Sequence, residues 1–449
     1  NFTTIIMKDL TRGNEGKLIL RFALPMLLGN VFHQLYNIID SIIVGNYIGK
    51  EALAAVGASF PVIFVFFSLV LGITSGSTVV ISQYFGAGEN EKVKRSIETL
   101  LIFLFFSSIG ISILGIRFSR EIFLLLRLPE EVIPMAEQYL KVFFGGVIAF
   151  FGFMGISASL RGLGDSMTPL YFLIISTVFN IGFDLLFVIG FGWGITGVAF
   201  ASIIAQGGAF VTAIFYLNKT HQIIQLSLFK LRFDKSLFRK TLRIGLPTGI
   251  QQTVIAAGMM ALVWIVNDFG TNVIAAYSVA ARVNSLATLP AMNFANALAT
   301  FVGQNLGAKK EFRVKPGYIA TLKMSSVVSI TVTLVVVMFG DFIMGLFTED
   351  PQVIQIGREY LTIVGSFYLI FSAMFSTSGV LRGAGATLIP MITTILSLWA
   401  IRIPGAYLLS QRFGETGIWW AIPIGWFMGL LMSYAYYLTG KWKNKVVVG

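Results

Sequence analysis

Two carboxylic acids sit where carboxylic acids are scarce. Asp40 lies deep in an apolar stretch at 18–45, and Asp184 lies in another at 167–190, within Asn180-Ile181-Gly182-Phe183-Asp184-Leu185-Leu186. An ionised carboxylate surrounded by hydrocarbon is expensive, so an acid in such a place ordinarily lines an ion pathway or relays protons. Helical spacing gives each acid polar company. His33, Asn37 and Asp40 fall at i, i+4 and i+7 on one stripe, which Asn30 and Gln34 widen. Thr177, Asn180 and Asp184 make a matching stripe, and the next apolar stretch supplies a hydroxyl from Thr196 or Ser202. Carboxyl groups load and release protons. Carboxylate, amide and hydroxyl oxygens together also suit a hard cation such as Na+, with Asp40, Asn180 and Asp184 as its candidate ligands. The same residue types have plainer uses: a buried amide such as Asn180 links helices, and His33 packs as a hydrogen-bonded ring.

The elements that must position these groups are membrane helices. Of 449 residues, 56% are hydrophobic and only 12% charged, about half the charged share of an average soluble domain. That excludes a soluble enzyme and a disordered chain, and the absence of cysteine excludes a disulfide-stapled secreted domain. Twelve stretches reach or exceed the roughly 20 residues needed to cross hydrocarbon. They run at 18–45, 53–84, 93–116, 135–157, 167–190, 195–217, 238–266, 273–303, 317–340, 355–379, 388–410 and 416–439. None alternates with period two, which argues against a β-barrel. The fold expected is all-α and polytopic.

The net charge of +12 would suggest nucleic acid in a soluble chain. Here it reads as topology. With the N-terminus inside, 24 Lys and Arg fall on the inner side and 8 on the outer, which satisfies the positive-inside rule. Both termini are then cytoplasmic, in a cell inner membrane. The basic stretch 219–243 joins two membrane halves and is no nucleic-acid patch.

The chain repeats itself. Arg21-Phe22-Ala23-Leu24-Pro25 recurs as Arg243-Ile244-Gly245-Leu246-Pro247, at an offset of 222. Gln83-Tyr84-Phe85-Gly86-Ala87 recurs as Gln304-Asn305-Leu306-Gly307-Ala308, and Leu160-Arg161-Gly162-Leu163-Gly164 as Leu381-Arg382-Gly383-Ala384-Gly385, both at 221. The expected organisation is a six-helix lobe at 1–218, a cytoplasmic basic linker at 219–237 and a second six-helix lobe at 238–449. An even helix count makes the repeats parallel, an arrangement associated with alternating access around a cleft between lobes. Pro25, inside the first helix and near Asp40, is the preferred hinge.

Carried through the repeat, Asp40 lands on Leu262 and Asp184 on Gly405. Coupling chemistry is therefore expected in the first half alone. The second half offers amides (Gln251, Gln252, Asn293, Asn296), methionines (Met259, Met260, Met292) and many aromatics, a wall suited to lipophilic cargo and, through ring faces, to cations. Arg282 and Arg402 are either cavity charges or snorkelling side chains. There is no P-loop, no cysteine cluster and no nucleophile elbow, so no ATP-driven pump, zinc enzyme or serine hydrolase is expected. The cofactor expectation is none beyond H+ or Na+ as coupling ion.

Met7-Lys8-Asp9-Leu10-Thr11, the run from Leu24-Pro25 to Gln34-Leu35-Tyr36-Asn37-Ile38-Ile39-Asp40, and Leu160-Arg161-Gly162-Leu163-Gly164-Asp165 resemble the multidrug and toxic compound extrusion (MATE) transporters, in particular their DinF-like bacterial branch. The resemblance covers nearly the whole chain. It implies two six-helix lobes around a central cavity and export of mostly cationic, lipophilic compounds in exchange for H+ or Na+. It carries the coupling site onto Asp40, Asn180 and Asp184. The family's threonine on the sixth helix falls on Ser202, which keeps the hydroxyl. The expected cavity lining is His33, Gln34, Asn37, Thr177, Gln252, Met259, Arg282, Asn293 and Arg402. The alternative within the same architecture is a flippase for a lipid-linked sugar or phospholipid. The expected partners are small-molecule drugs and the lipid bilayer, with a monomer able to hold the complete cavity.

Overall fold

The structure, a computed structural model, describes residues 9–220, 226–227 and 230–448. Met7, Lys8, His221 and parts of the expected linker lie outside the described residues. Among the described residues there is no strand, and twelve helical spans follow one another as expected. They are α1 (Glu15–Tyr47), α2 (Lys50–Gly86), α3 (Asn90–Arg117), α4 (Ile133–Gly145 and Val147–Gly162), α5 (Met167–Gly190) and α6 (Gly194–Thr220). The second series is α7 (Lys235–Asn267), α8 (Thr271–Gly307), α9 (Glu311–Met338), α10 (Pro351–Gly365 and Tyr368–Gly383), α11 (Leu388–Phe413) and α12 (Glu415–Leu438). The fourth span of each series is broken, by 51° in α4 and 47° in α10. In α4 the break falls at Gly146, where the Ile203 side chain occupies the space a Cβ would need.

By packing, the chain divides into two units, one made of Pro25–Gly245 with the segment through Asp9, the other of Leu10–Leu24 with Leu246–Gly449. Two helices therefore change unit along their length. α1 does so at Pro25, and α7 does so just before Pro247.

In the first unit one core gathers Ile43, Val44, Ala52, Phe123, Phe144 and Val198, and another gathers Val70, Leu104, Val147 and Phe151. The first segment of α7 seats on α2: a Cβ at Gly76 would lie 2.5 Å from the Gly245 backbone nitrogen, and one at Gly245 would lie 2.6 Å from Ile73 Cα. Small residues let membrane helices approach this closely. Asp234 N–H donates to Thr99 Oγ1 at 3.0 Å, and Lys240 Nζ donates to Tyr84 OH at 2.7 Å.

The second unit repeats the device with its own residues. Leu10 N–H donates to Gln304 Oε1 at 3.0 Å, and Asn305 Nδ2 donates to the Leu10 carbonyl at 3.1 Å. Arg313 donates to the carbonyls of Thr11 and Gly13 at 2.6 and 2.5 Å and pairs with Glu15 at 3.1 Å. Tyr84 in the first repeat and Gln304-Asn305 in the second thus tie down the segment that precedes a helix proline. The core of this unit runs through Leu262, Tyr360, Tyr368, Trp419 and Trp426.

The third repeat motif closes helices. Gly164 and Gly385 adopt φ of +84° and +88°. The next amides, Asp165 and Ala386, donate back to Leu160 and Leu381 carbonyls at 2.9 and 2.8 Å, a glycine C-cap in both copies. Outward faces carry large apolar side chains such as Phe106, Phe215 and Met338, half-exposed or more. In hydrocarbon these are ordinary lipid-facing groups, and the helical backbone satisfies its own hydrogen bonds.

Candidate carboxyl pair in the first unit

Four acids are buried among the described residues: Asp40, Glu98, Asp165 and Asp184. Two have ordinary structural employment. Glu98 pairs with Arg95 at 3.2 Å and accepts from Arg232 N–H at 3.3 Å. Asp165 accepts from the N–H groups of Met167 and Thr168 at 3.1 and 3.0 Å, capping the start of α5. Asp40 and Asp184 have no basic partner among the described residues.

Instead they have each other. Asp40, from α1, and Asp184, from α5, bring their carboxyl groups within reach of each other. The Oδ1 atom of each is buried without any partner. An ionised carboxylate only accepts, so a hydrogen bond between two of them requires a proton on one. Asp184 is completely buried and Asp40 nearly so. The helix widens immediately after Asp184 into a π-helical turn, Leu185–Gly190, a distortion frequent at functional sites.

The neighbours form a short polar chain. In the amide orientation that satisfies both partners, Asn180 donates to Asp184 Oδ2 at 3.1 Å and accepts from Ser202 N–H at 3.2 Å. Ser202 Oγ and Tyr36 OH are 2.7 Å apart. Residues from α1, α5 and α6 therefore meet, as the two polar stripes predicted. His33, Thr177, Asn180 and Ser202 also line one small cleft, shared with Tyr36, Leu173, Ser176, Ala205 and Gln206. His33 stands exposed at its rim, 3.2 Å from Asn37 Nδ2. Gln34 and Asn37 are half-buried on the same helix.

Spacing did not single out two tyrosines. Tyr36 sits one turn before Asp40, so its nearness was available from the helical period, but a tyrosine in an apolar run carries no signal of its own. Tyr139 comes from α4 and lies within electrostatic reach of both carboxyls; only the tertiary structure brings it there.

The second-half residues lie in the second unit. Gln252 is half-buried and Met259 exposed on α7, and Arg282 is exposed on α8. Asn293 is 1% exposed, and its amide donates to the Leu289 carbonyl at 2.8 Å, one turn back on its own helix. That is packing rather than cavity lining, because a fully buried amide presents nothing to a ligand. Arg402 ends a π-helical segment of α11, Leu396–Arg402. Among the described residues no group of three or more His, Cys, Asp or Glu gathers as a metal site.

A duplicated twelve-helix bundle of membrane-spanning length, with a buried carboxyl pair in its first unit, defines a polytopic membrane protein. The MatE family model matches residues 25–186 and again 247–408, one copy per repeat, and the chain belongs to that family, the MATE transporters, whose members are transporters rather than enzymes. It is 34% identical over 436 residues to the probable multidrug resistance protein YpnP of Bacillus subtilis (strain 168), with 97% of each chain covered. It is 29% identical to the probable multidrug resistance protein NorM of Thermotoga maritima, covering 96% of this chain and 94% of that one. Its fold matches a multidrug resistance MATE transporter solved in an outward-facing conformation, with a TM-score of 0.89, 23% identity, and 97% and 98% of the chains covered.

Proposed function

We propose that this protein is a secondary antiporter that exports lipophilic, mostly cationic compounds in exchange for a coupling ion, by alternating access. The observation that carries the reading is the Asp40–Asp184 pair: two buried carboxyls in contact with no basic counterpart. Multidrug resistance relatives support the drug class of the cargo.

H+ is the favoured coupling ion. The pair holds one proton between its carboxyls, and a second proton neutralises the remaining charge. Loading that second proton changes the hydrogen bonding of Asp184, and through Asn180, Ser202 and Tyr36 the effect reaches α1 and α6. Pro25 lacks the N–H that would tie it to the preceding turn, so α1 is softest where it passes from one unit to the other. That coincidence supports Pro25 as the hinge. The same oxygens of Asp40, Asn180 and Asp184 would suit Na+ as the coupling ion instead. The distribution of basic residues supports cytoplasmic termini in an inner membrane, and a cavity completed within one chain would let a monomer act.

The test is purified protein in proteoliposomes, with a pH gradient and a Na+ gradient imposed separately. Ethidium accumulation driven by the pH gradient alone is the expected result. Accumulation driven only by Na+ would reassign the ion, and accumulation with neither would remove the antiport reading.

A further inference from the structure

We propose that the second unit contains a binding site for an oxyanion, the carboxylate or phosphate group of an amphiphilic ligand, centred on Arg402. The inference rests on the transporter reading for the ligand's role as cargo, though not for the site's existence. Arg402 lies midway along a membrane-spanning helix, where an unpaired cation is expensive and marks a functional position. Its Nε is buried without a partner, and it forms no ion pair among the described residues. Five acids of this unit have other partners: Glu15 with Arg313, Glu311 with Lys443, Asp341 with Arg358, Glu359 accepting from Thr416, and Asp350 accepting from Gln352 N–H. Nor does Arg402 stack over an aromatic ring at cation–π distance among the described residues, as Arg313 does over Phe301.

Its surroundings are rich in donors. The hydroxyls of Tyr277 and Tyr360 lie within electrostatic reach of the guanidinium. Both rings pack on Trp419, at centroid distances of 5.8 and 5.0 Å. Trp419 is fully buried, yet its Nε1, which can only donate, has no partner. A guanidinium with the partly exposed Tyr277 beside it calls for a ligand that accepts, and a planar oxyanion matches the guanidinium fork in particular.

The backbone makes room for this arrangement. Arg402 closes the π-helical segment of α11, and on α12 a Cβ at Gly425 would lie 3.0 Å from Arg402 Cβ and 3.3 Å from the Ser397 carbonyl. Glycine there lets the arginine stem pass. Arg402 itself is partly exposed, as is Tyr277, and Trp399 one turn earlier is 41% exposed, so a ligand has a way in. The repeat sharpens the contrast. Tyr360 is the repeat equivalent of Tyr139, which in the first unit stands by two carboxyls; in the second unit the same tyrosine position stands by a guanidinium.

The test is calorimetric titration of the purified full chain in uncharged detergent with 1-naphthoate, and separately with the monomeric short-chain lipid dihexanoylphosphatidylglycerol. At least one should bind, at least tenfold more weakly to Arg402→Gln and to Gly425→Val, whose side chain would occupy the arginine's path. Gly57→Ala, with open space at its Cβ, should bind as the wild type does. Naphthoate binding alone assigns the oxyanion to a soluble cargo, and lipid binding alone assigns it to a headgroup. Should a variant fail to give a monodisperse folded peak, competition on the wild type decides: inorganic phosphate should displace the probe, and uncharged naphthalenemethanol should not. Equal binding by wild type and Arg402→Gln, or no binding of either probe, would overturn the site. Ethidium efflux measured alongside separates the two readings: efflux without oxyanion binding defeats this proposal alone, and binding without efflux defeats only the transport role.

Discussion

Replacing Asp40 and Asp184 together with asparagine should abolish gradient-driven accumulation while leaving the fold intact. The contact between Asp40 and Asp184 requires that one proton stay between them whenever they are packed together. The pair then cycles between one bound proton and two, so one proton is exchanged per turnover. One proton moving down a gradient of one pH unit releases about 1.4 kcal/mol. A monovalent cation exchanged for it can be concentrated about tenfold per pH unit and no further. Such an exchange moves no net charge, so clamping the membrane potential should leave the plateau unchanged. In the Asp40→Asn, Asp184→Asn double variant the two amides can still bond to each other, which preserves the contact, but no titratable proton remains. The accumulation ratio should fall to unity. The assay is steady-state ethidium distribution in proteoliposomes across a series of imposed pH differences, with valinomycin and potassium fixing the potential. A slope near a hundredfold per pH unit would show two protons and refute the shared-proton geometry. Accumulation surviving in the double variant would refute the pair as the coupling site.

Three further outcomes follow from particular contacts. Tyr36→Phe removes the 2.7 Å bond to Ser202 Oγ, and Ser202→Ala removes it from the other side. Each should slow efflux severalfold, the double variant should be no worse than either single, and additive losses would show that the two hydroxyls act separately. Gly76→Ala forces a Cβ to 2.5 Å from backbone of α7, which cannot rotate away, so it should destabilise by several kcal/mol. Gly57→Ala in the same helix meets nothing and should be neutral or stabilise by up to about 1 kcal/mol; thermal unfolding in detergent compares them, and equal melting would contradict the close approach. Arg313→Ala deletes two short bonds to carbonyls and the pair with Glu15. It should cost about 2–4 kcal/mol and expose the segment around Thr11 to hydrogen exchange, whereas unchanged protection there would mean the segment is held by other contacts.

Much of the buried polar cluster around the two acids was legible before any coordinates. Asp40 and Asp184 are visible because an acid in an apolar run violates the composition around it, and Asn180, Thr177, Asn37 and His33 follow from the helical period. Ser202 was reachable as one of two hydroxyls on the next apolar stretch and through the family pattern. Tyr139 was not, because it arrives from α4 and nothing in its neighbourhood of the sequence refers to α1 or α5. Asn293 was misplaced for a related reason: a polar residue on an apolar helix reads the same whether it faces a cavity or bonds to its own backbone.

Composition and periodicity by themselves determined the all-helical membrane class, the twelve spans and the duplication, because hydrocarbon accepts only long, self-satisfied helices and a copied half keeps its motifs at one offset. What only the tertiary structure decided is pairing. Two acids 144 positions apart meet because the tertiary fold brings one point of α1 against α5. The helices carrying Pro25 and Pro247 proved to belong to one unit at their start and to the other beyond the proline, since the segments before them are tied down by Lys240 and Arg313. Periodicity assigns a residue to a face of its own helix, and it takes the packing of another helix against that face to decide what the residue meets.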